Sequence, residues 1–252
     1  MMDQNKENKI NAFLIIFRTI SLIIILICLY ALYNWDIEND KNNEIITNIR
    51  SQIEFPESYE NDPLHEEEFM DFSGLLETNP NTVAWIKVNN TDVDFPVVKG
   101  DDNNYYLKHN INNEYNSAGW IYADFRNKFD GTDKNIVIYG HNRRDGSMFS
   151  TLKNTIEKVW HTNEENWIIP LYTPTANKKY QIFSLYYILA STVSDPIVET
   201  EENFENYLND IISKSVYDFN INVSKDDNIL TLFTCGNNTK YRVLIHAKEI
   251  VD

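Results

Sequence analysis

Cysteine is scarce: the 252-residue chain has two, Cys28 and Cys235. Cys28 falls inside an apolar run, so the rest of the chain holds one thiol, which excludes a disulfide framework within the chain. Basic clusters are missing as well. The densest are the pairs Arg143-Arg144 and Lys178-Lys179, set against a formal charge of −16. Such a chain is no neutraliser of phosphates, so no nucleic-acid partner is expected. Metal-ligand spacing is lacking: no H-x-x-x-H, C-x-x-C or carboxylate pattern supports a metal site, Asp101-Asp102 and Asp226-Asp227 read as turn residues, and the expectation is no metal and no cofactor. Internal repeats and low-complexity tracts are absent apart from a bias toward asparagine. Apolar content of 42%, with 13% aromatic, suffices for a core and excludes global disorder.

One long hydrophobic run is present. Ala12 to Tyr33 reads AFLIIFRTISLIIILICLYALY, with Arg18 as its single charge. As a helix it spans about 33 Å, enough for a hydrocarbon core of about 30 Å, and Arg18 sits close enough to one end to snorkel. A cleaved signal peptide is the rival reading; the run ends in Ala31-Leu32-Tyr33-Asn34-Trp35 without an A-x-A site, which favours an uncleaved anchor. Lys6, Lys9 and Arg18 precede or lie within it and Asp36, Glu38 and Asp40 follow it. The positive-inside rule then sets residues 1–11 in the cytoplasm, 12–33 across the membrane once, and everything after Tyr33 outside. The outer part is more acidic still, so an anionic wall or membrane surface repels it and its ligand is not recognised by bulk charge.

Residues 34–65 are acidic, rich in asparagine and poor in apolar residues, and read as a stem, helical in part around Ile45 to Ile53. From Glu66 a short amphipathic helix is expected, with Phe69, Phe72, Leu75 and Leu76 near one stripe and Asn79-Pro80 ending it. Eight strand candidates follow, at 82–88, 91–98, 119–124, 135–140, 166–173, 179–190, 228–234 and 241–250. Their number fits a closed or nearly closed β-barrel over residues 66–252. Pro170 marks its strand as an edge or a bulge. In 200–217, Phe204, Tyr207, Leu208, Ile211 and Ile212 fall on one helical stripe, with Thr200 as N-cap. A shorter helix is expected over Ser147 to Leu152.

Three strand ends carry chemistry. NIVIYGHN (135–142) stops at Gly140 and presents His141; NILTLFTC (228–235) stops at Cys235; YRVLIHA (241–247) begins with Arg242. If these strands are neighbours, one rim holds a thiol, an imidazole and a guanidinium, the set needed for thiol-based acyl transfer. A free thiol near pKa ~8.5 is a few per cent ionised at pH 7, and a neighbouring cation raises that fraction. An imidazole near ~6.5 can give and take a proton. A guanidinium keeps its charge, so Arg242 suits an oxyanion and not a base. Each residue also has a plain reading: an inert buried thiol, a loop histidine at a strand end, a surface arginine on an edge strand. His65, His109 and His161 lie in polar or loop-like stretches, and His246, alternating with apolar residues, reads as packed or hydrogen-bonded.

TLFTC (231–235) resembles the TLxTC signature of sortases, YGHN (139–142) matches their histidine segment, and RVLIHA (242–247) resembles the strand carrying their arginine, in the order His, Cys, Arg. NPNTVAWIKVNNTDVDFPVVKGDDNNYYL resembles the first barrel strands of classes B and C, and the long helix between the sixth and seventh strands is a class B mark. The resemblance implies a closed eight-stranded barrel and a membrane-anchored cysteine transpeptidase of class B. Such enzymes cut an NPxTx-like C-terminal sorting signal after Thr through a thioacyl on the cysteine, and transfer the protein to a peptidoglycan amine. Cys235 would be nucleophile, His141 acid and base, and Arg242 the oxyanion-side cation. Tyr139, Thr234 and the 200–217 helix with its preceding loop would shape the signal groove. Surface proteins bearing the signal, a peptidoglycan amine and the membrane would be the partners of a monomer. Six residues, Gly236 to Tyr241, separate Cys235 from Arg242, short for the family, and Asn237 stands where some class B members have an acid. The rivals are an L,D-transpeptidase-like enzyme, whose cysteine follows a Ser-x-Gly run, and a catalytically silent barrel that binds or assembles pili.

Overall fold

All eight expected strands form, and they close on themselves. They are β1 (Thr82–Lys87), β2 (Asp94–Lys99), β3 (Tyr122–Ala123), β4 (Asn135–His141), β5 (Ile168–Thr173), β6 (Ala176–Leu189), β7 (Ile229–Cys235) and β8 (Tyr241–Glu249). Their order around the barrel is β1-β2-β3-β4-β7-β8-β6-β5. The β2–β3 and β4–β7 pairs are parallel and the other pairs antiparallel. The computed structural model describes residues 2–53, 69–198, 200–235 and 240–251, with residues 2–9 and Cys235 described by their backbone.

Every residue of β4 is buried. Strands covered on both faces read as continuous apolar runs, which is why NIVIY lacks clean alternation. Inside, Ile138, Leu230, Leu232 and Ile245 have no exposed surface. Outside, α4 (Glu201–Ser213) lays Phe204, Leu208 and Ile211 on Phe183, Tyr186, Ile229 and Leu244. Thr200 caps it as expected, its side chain accepting from Asn203 N at 3.3 Å. The helix stops four residues short of the expected Tyr217 because the chain docks on β6: Leu185 N donates to Ser215 Oγ at 3.1 Å and Val216 N to Leu185 O at 2.9 Å.

The chain divides into two compact units, Met1–Ile45 and Ile46–Asp252. In the first, the apolar side chains from Phe13 to Tyr33 are exposed on a helix long and apolar enough to cross a membrane, its most apolar 18 residues having mean hydropathy 2.8. That helix, α1 (Met2–Gln52), takes in residues 34–52, where a stem helical only in part, around Ile45 to Ile53, was expected. In the second unit its last turns are held: Ile46 and Ile49 are buried, and Arg50 donates to Asp94 O at 2.8 and 2.6 Å. Residues 54–65 of the expected stem, and His65 with them, lie outside the described residues.

Three further expectations change. Of the helix expected from Glu66, residues 66–68 lie outside the described residues, and from Phe69 on the helical part is α2 (Ser73–Thr78), with Phe72 and Leu75 buried while Phe69 and Leu76 stay exposed. It starts late because Asp71 binds Ser73 N at 2.8 Å, a local turn that competes with helix. Residues 150–156 form 3-10 turns in place of the helix expected from Ser147, whose Asp145 Oδ1 takes its N–H at 3.0 Å. Pro170 is in no open edge. It stands just past the β1–β5 ladder of Trp85–Tyr172 and Ile86–Leu171, where its missing N–H leaves no gap in that ladder.

Candidate active site

Successive residues of a strand alternate between faces, and residues in register share one. On the face that α4 covers, the registers define three rungs. In the first, His141 pairs with Cys235 across the parallel β4–β7 ladder, and Arg242 pairs with Ile188 of β6. Phe233 pairs with Leu244, and continuing that antiparallel register by two residues puts Cys235 level with Arg242. Neighbouring strands lie about 4.8 Å apart. The three stations therefore stand side by side at one end of β4, β7 and β8, His141 brought there from about 90 residues upstream of the other two.

The second rung, Tyr139, Phe233, Leu244 and Tyr186, is an apolar floor, with the Tyr139 ring 5.2 Å from Tyr122 and 5.4 Å from Phe233. The third carries Thr231 and His246 under α4. Thr231 Oγ1 donates to Asn135 Oδ1 at 2.9 Å and stands 2.9 Å from His246 Nδ1, while His246 Nε2 is 3.1 Å from Tyr186 OH. With its proton given to Asn135, the threonine accepts from Nδ1–H, and Nε2 accepts from the tyrosine. Burial, with Lys214 adding to it, pushes the His246 pKa down to about 3.

His141 is set in place by its neighbours. It is 7% exposed, and its Nε2 donates to the Leu107 carbonyl at 2.9 Å, which puts the ring proton on Nε2 and makes Nδ1 the basic nitrogen. Leu107 ends the 3-10 turn Tyr105–Leu107. That turn is pressed by Gly119, at φ +58°, where a Cβ would lie 2.5 Å from Tyr106 O and 2.8 Å from Leu107 O. On the other side, Phe149 N donates to His141 O at 3.0 Å. The Phe149 ring then sits over Gly140, where a Cβ would meet it at 2.5 Å. Gly140 does not end the strand, as its sequence context suggested; it lets Phe149 close over it while β4 continues through His141.

Tyr139 lies on the same face as His141, and its hydroxyl donates to the buried Asp124 at 3.0 Å. Thr234 does not. It is one residue out of phase with Cys235, and its buried hydroxyl accepts from Val243 N at 2.8 Å. That bond holds β8 beside β7, on the strand face opposite the one that carries Cys235. Arg242 is half-buried, with Nη1 3.4 Å from Tyr241 O. Asn237 and residues 236–239 around it lie outside the described residues.

The other histidines divide. His246 is packed and hydrogen-bonded, as its alternation implied. His161, expected in polar surroundings, stacks on Tyr217 at 3.8 Å and on Trp167 at 5.0 Å. Sequence reading passes over Leu107, Asp124 and Arg126. A main-chain carbonyl has no side-chain signature, and an acid two residues before an arginine looks like any surface turn.

A family model for the sortase domain matches residues 86–250. The chain belongs to the sortases. A sortase B of Listeria monocytogenes is 36% identical over 183 residues, covering 70% of this chain and 72% of the relative. The solved sortase B of Bacillus anthracis superposes with TM-score 0.73 at 26% identity, over 86% of this chain and 99% of that one. A sortase B–substrate complex from Staphylococcus aureus gives 0.65 at 30% identity, over 71% and 84%. The protein is thus a sortase B family cysteine transpeptidase, and the L,D-transpeptidase reading falls away.

Proposed function

We propose that Cys235 is the nucleophile, His141 its acid–base partner and Arg242 the oxyanion-side cation, acting on an NPxTx-like C-terminal sorting signal of surface proteins. The reading is supported most by one observation, His141 and Cys235 in register, together with the β7–β8 register, which carried two residues past Phe233–Leu244 brings Arg242 level with them. The thiolate adds to the Thr carbonyl carbon, and charge gathers on the carbonyl oxygen beside the guanidinium. The C–N bond then breaks, and the leaving amine takes its proton from His141. A peptidoglycan amino group attacks the thioester, gives its proton to His141 and expels the thiolate, which restores the enzyme. Tyr139 and Phe233 form the floor under the signal. Thr234 acts through the backbone, keeping β8 and so Arg242 in place.

Residues 12–33 anchor the chain in the membrane once, with 1–11 inside, 34–65 as spacer and the catalytic domain 66–252 outside, as a monomer. An amino-group acceptor in the cell wall fits that side.

The test is a panel of labelled signal peptides with mass-spectrometric mapping of the cut bond. Cleavage between Thr and the next residue is expected, with Cys235→Ala inactive and Arg242→Ala slowed by ~10²-fold or more. Undiminished cleavage by Cys235→Ala removes the nucleophile.

A further inference from the structure

One ion-pair network borders the site face on its β3–β4 side. Asp124, just after β3, has no exposed surface. Its carboxylate accepts from Arg126 Nε and Nη2, each at 2.8 Å, from Arg126 N at 3.0 Å, from Asn103 Nδ2 at 3.0 Å and from Tyr139 OH at 3.0 Å. The guanidinium also faces Asp195: Nη1 donates to Oδ2 at 2.7 Å and Nη2 to Oδ1 at 2.9 Å. Both carboxylates are held below the usual range. For Asp124, burial pushes upward and the hydrogen bonds outweigh it; for Asp195, the Arg126 bonds lead.

Asp195 lies on the segment joining β6 to α4. Its near end is tied beside Arg242, where Ala190 N donates to Lys240 O at 3.0 Å. Its far end is tied at β4, where Asn135 Nδ2 donates to Pro196 O at 2.9 Å. In the barrel order, β8, β7 and β4 lie between β6 and β3. Val198 packs with the apolar cluster under α4, so the crossing is on the face that carries the first rung. The segment therefore runs obliquely over that face, from beside Arg242 at the first rung, past Tyr139, to the Asn135 end of β4, and Arg126 holds it there with a bidentate pair. Planar two-point pairing fixes orientation as well as distance. The same buried carboxylate that seats Arg126 also binds Tyr139 of the floor.

We infer that Arg126 and Asp195 are positioning residues that latch the β6–α4 segment across the site, so that their pairing sets how well the sorting signal is held. The inference rests on the function proposed above for this face. The latch acts on binding of an extended peptide and not on the intrinsic reactivity of the thiol.

The experiment compares the full-length protein in detergent with its Asp195→Asn and Asp195→Glu variants. Asp195 is the exposed member, so its replacement leaves the buried Asp124–Arg126 pair intact. Asp195→Asn is expected to raise KM for the signal peptide about tenfold while kcat stays within about twofold. Alkylation of Cys235 by iodoacetamide should keep its wild-type rate, and amide hydrogen exchange at 190–198 should quicken. Asp195→Glu should restore both KM and exchange. Unchanged exchange in Asp195→Asn overturns the latch whatever the substrate, and so does a fall in alkylation that matches the loss of turnover. If the wild type ignores every signal peptide, the function fails instead, and the exchange data still decide the latch.

Discussion

Two histidines on one face of the barrel, two rungs apart, are held in opposite ways. His141 ends β4 at the rim, with Nε2–H spent on a main-chain carbonyl and Nδ1 as its basic nitrogen. His246 lies in the middle of β8 with no exposed surface, bound through Nδ1–H to Thr231 and through Nε2 to Tyr186. The tautomers are opposite because the partners are. Burial holds His246 neutral down to about pH 3, which serves packing and excludes proton exchange near neutrality. What separates the imidazole proposed as acid and base from the structural one is its place on the strand and the groups beside it, since residue type and strand face are shared.

The comparison breaks first if the wrong histidine matters. His141→Ala is expected to cost ~10²–10⁴-fold in turnover, the range for losing a positioned acid–base group, with the fold kept. Peptide cleavage rates and circular dichroism check both. A loss of that size in His246→Gln, with the fold intact, would reverse the assignment.

A smaller effect tests how His141 is held. Gly119→Ala places a methyl group against the Tyr106 and Leu107 carbonyls at a backbone angle that L side chains avoid. The Leu107 carbonyl must shift, and with it the acceptor of His141. Turnover should drop by about tenfold, as sub-ångström misplacement of a catalytic group does. The acidic limb of the pH–rate profile should move as well, which simple destabilisation would not produce.

The smallest effect concerns stability. The His246 pKa is depressed in the folded protein, so between about pH 3 and 6.5 the unfolded chain binds a proton that the folded one does not. Stability is then full above the unfolded value and falls as pH drops through that window, by at most about 1.4 kcal/mol per unit. His161, also pushed down by burial, tilts the curve the same way, so the comparison is between wild type and His246→Gln. Urea midpoints at pH 7 and pH 5 should differ less in the variant.

Much of this was legible in the residues. Alternation and apolar runs located all eight strands, because strand burial leaves its pattern in side-chain type. The Thr200 cap and the Phe204–Leu208–Ile211 stripe located α4 for the same reason. The rim histidine, cysteine and arginine were visible as polar residues at the ends of apolar strands. What stayed hidden acts through the backbone or over long range. The Leu107 carbonyl and the Gly119 contact have no sequence signature, and the Arg126–Asp195 pair joins residues 69 apart. Asp36 to Asn43 looked like stem because charge and asparagine argue against a packed helix, and nothing local to those residues predicts that α1 continues through them. Thr234 sits beside the cysteine in sequence yet on the other face, an outcome that period-two geometry dictates once the strand extends through Cys235.

The central claim is that the sulfur level with His141 carries the acyl group. Intact-mass measurement of the full-length protein, quenched in acid shortly after mixing with a signal peptide, tests it directly. The account predicts a covalent adduct equal to the peptide fragment ending in Thr, less one water, mapped to Cys235 and absent from Cys235→Ala. Cleaved peptide with no adduct on Cys235, or an adduct that persists in the alanine variant, would contradict it.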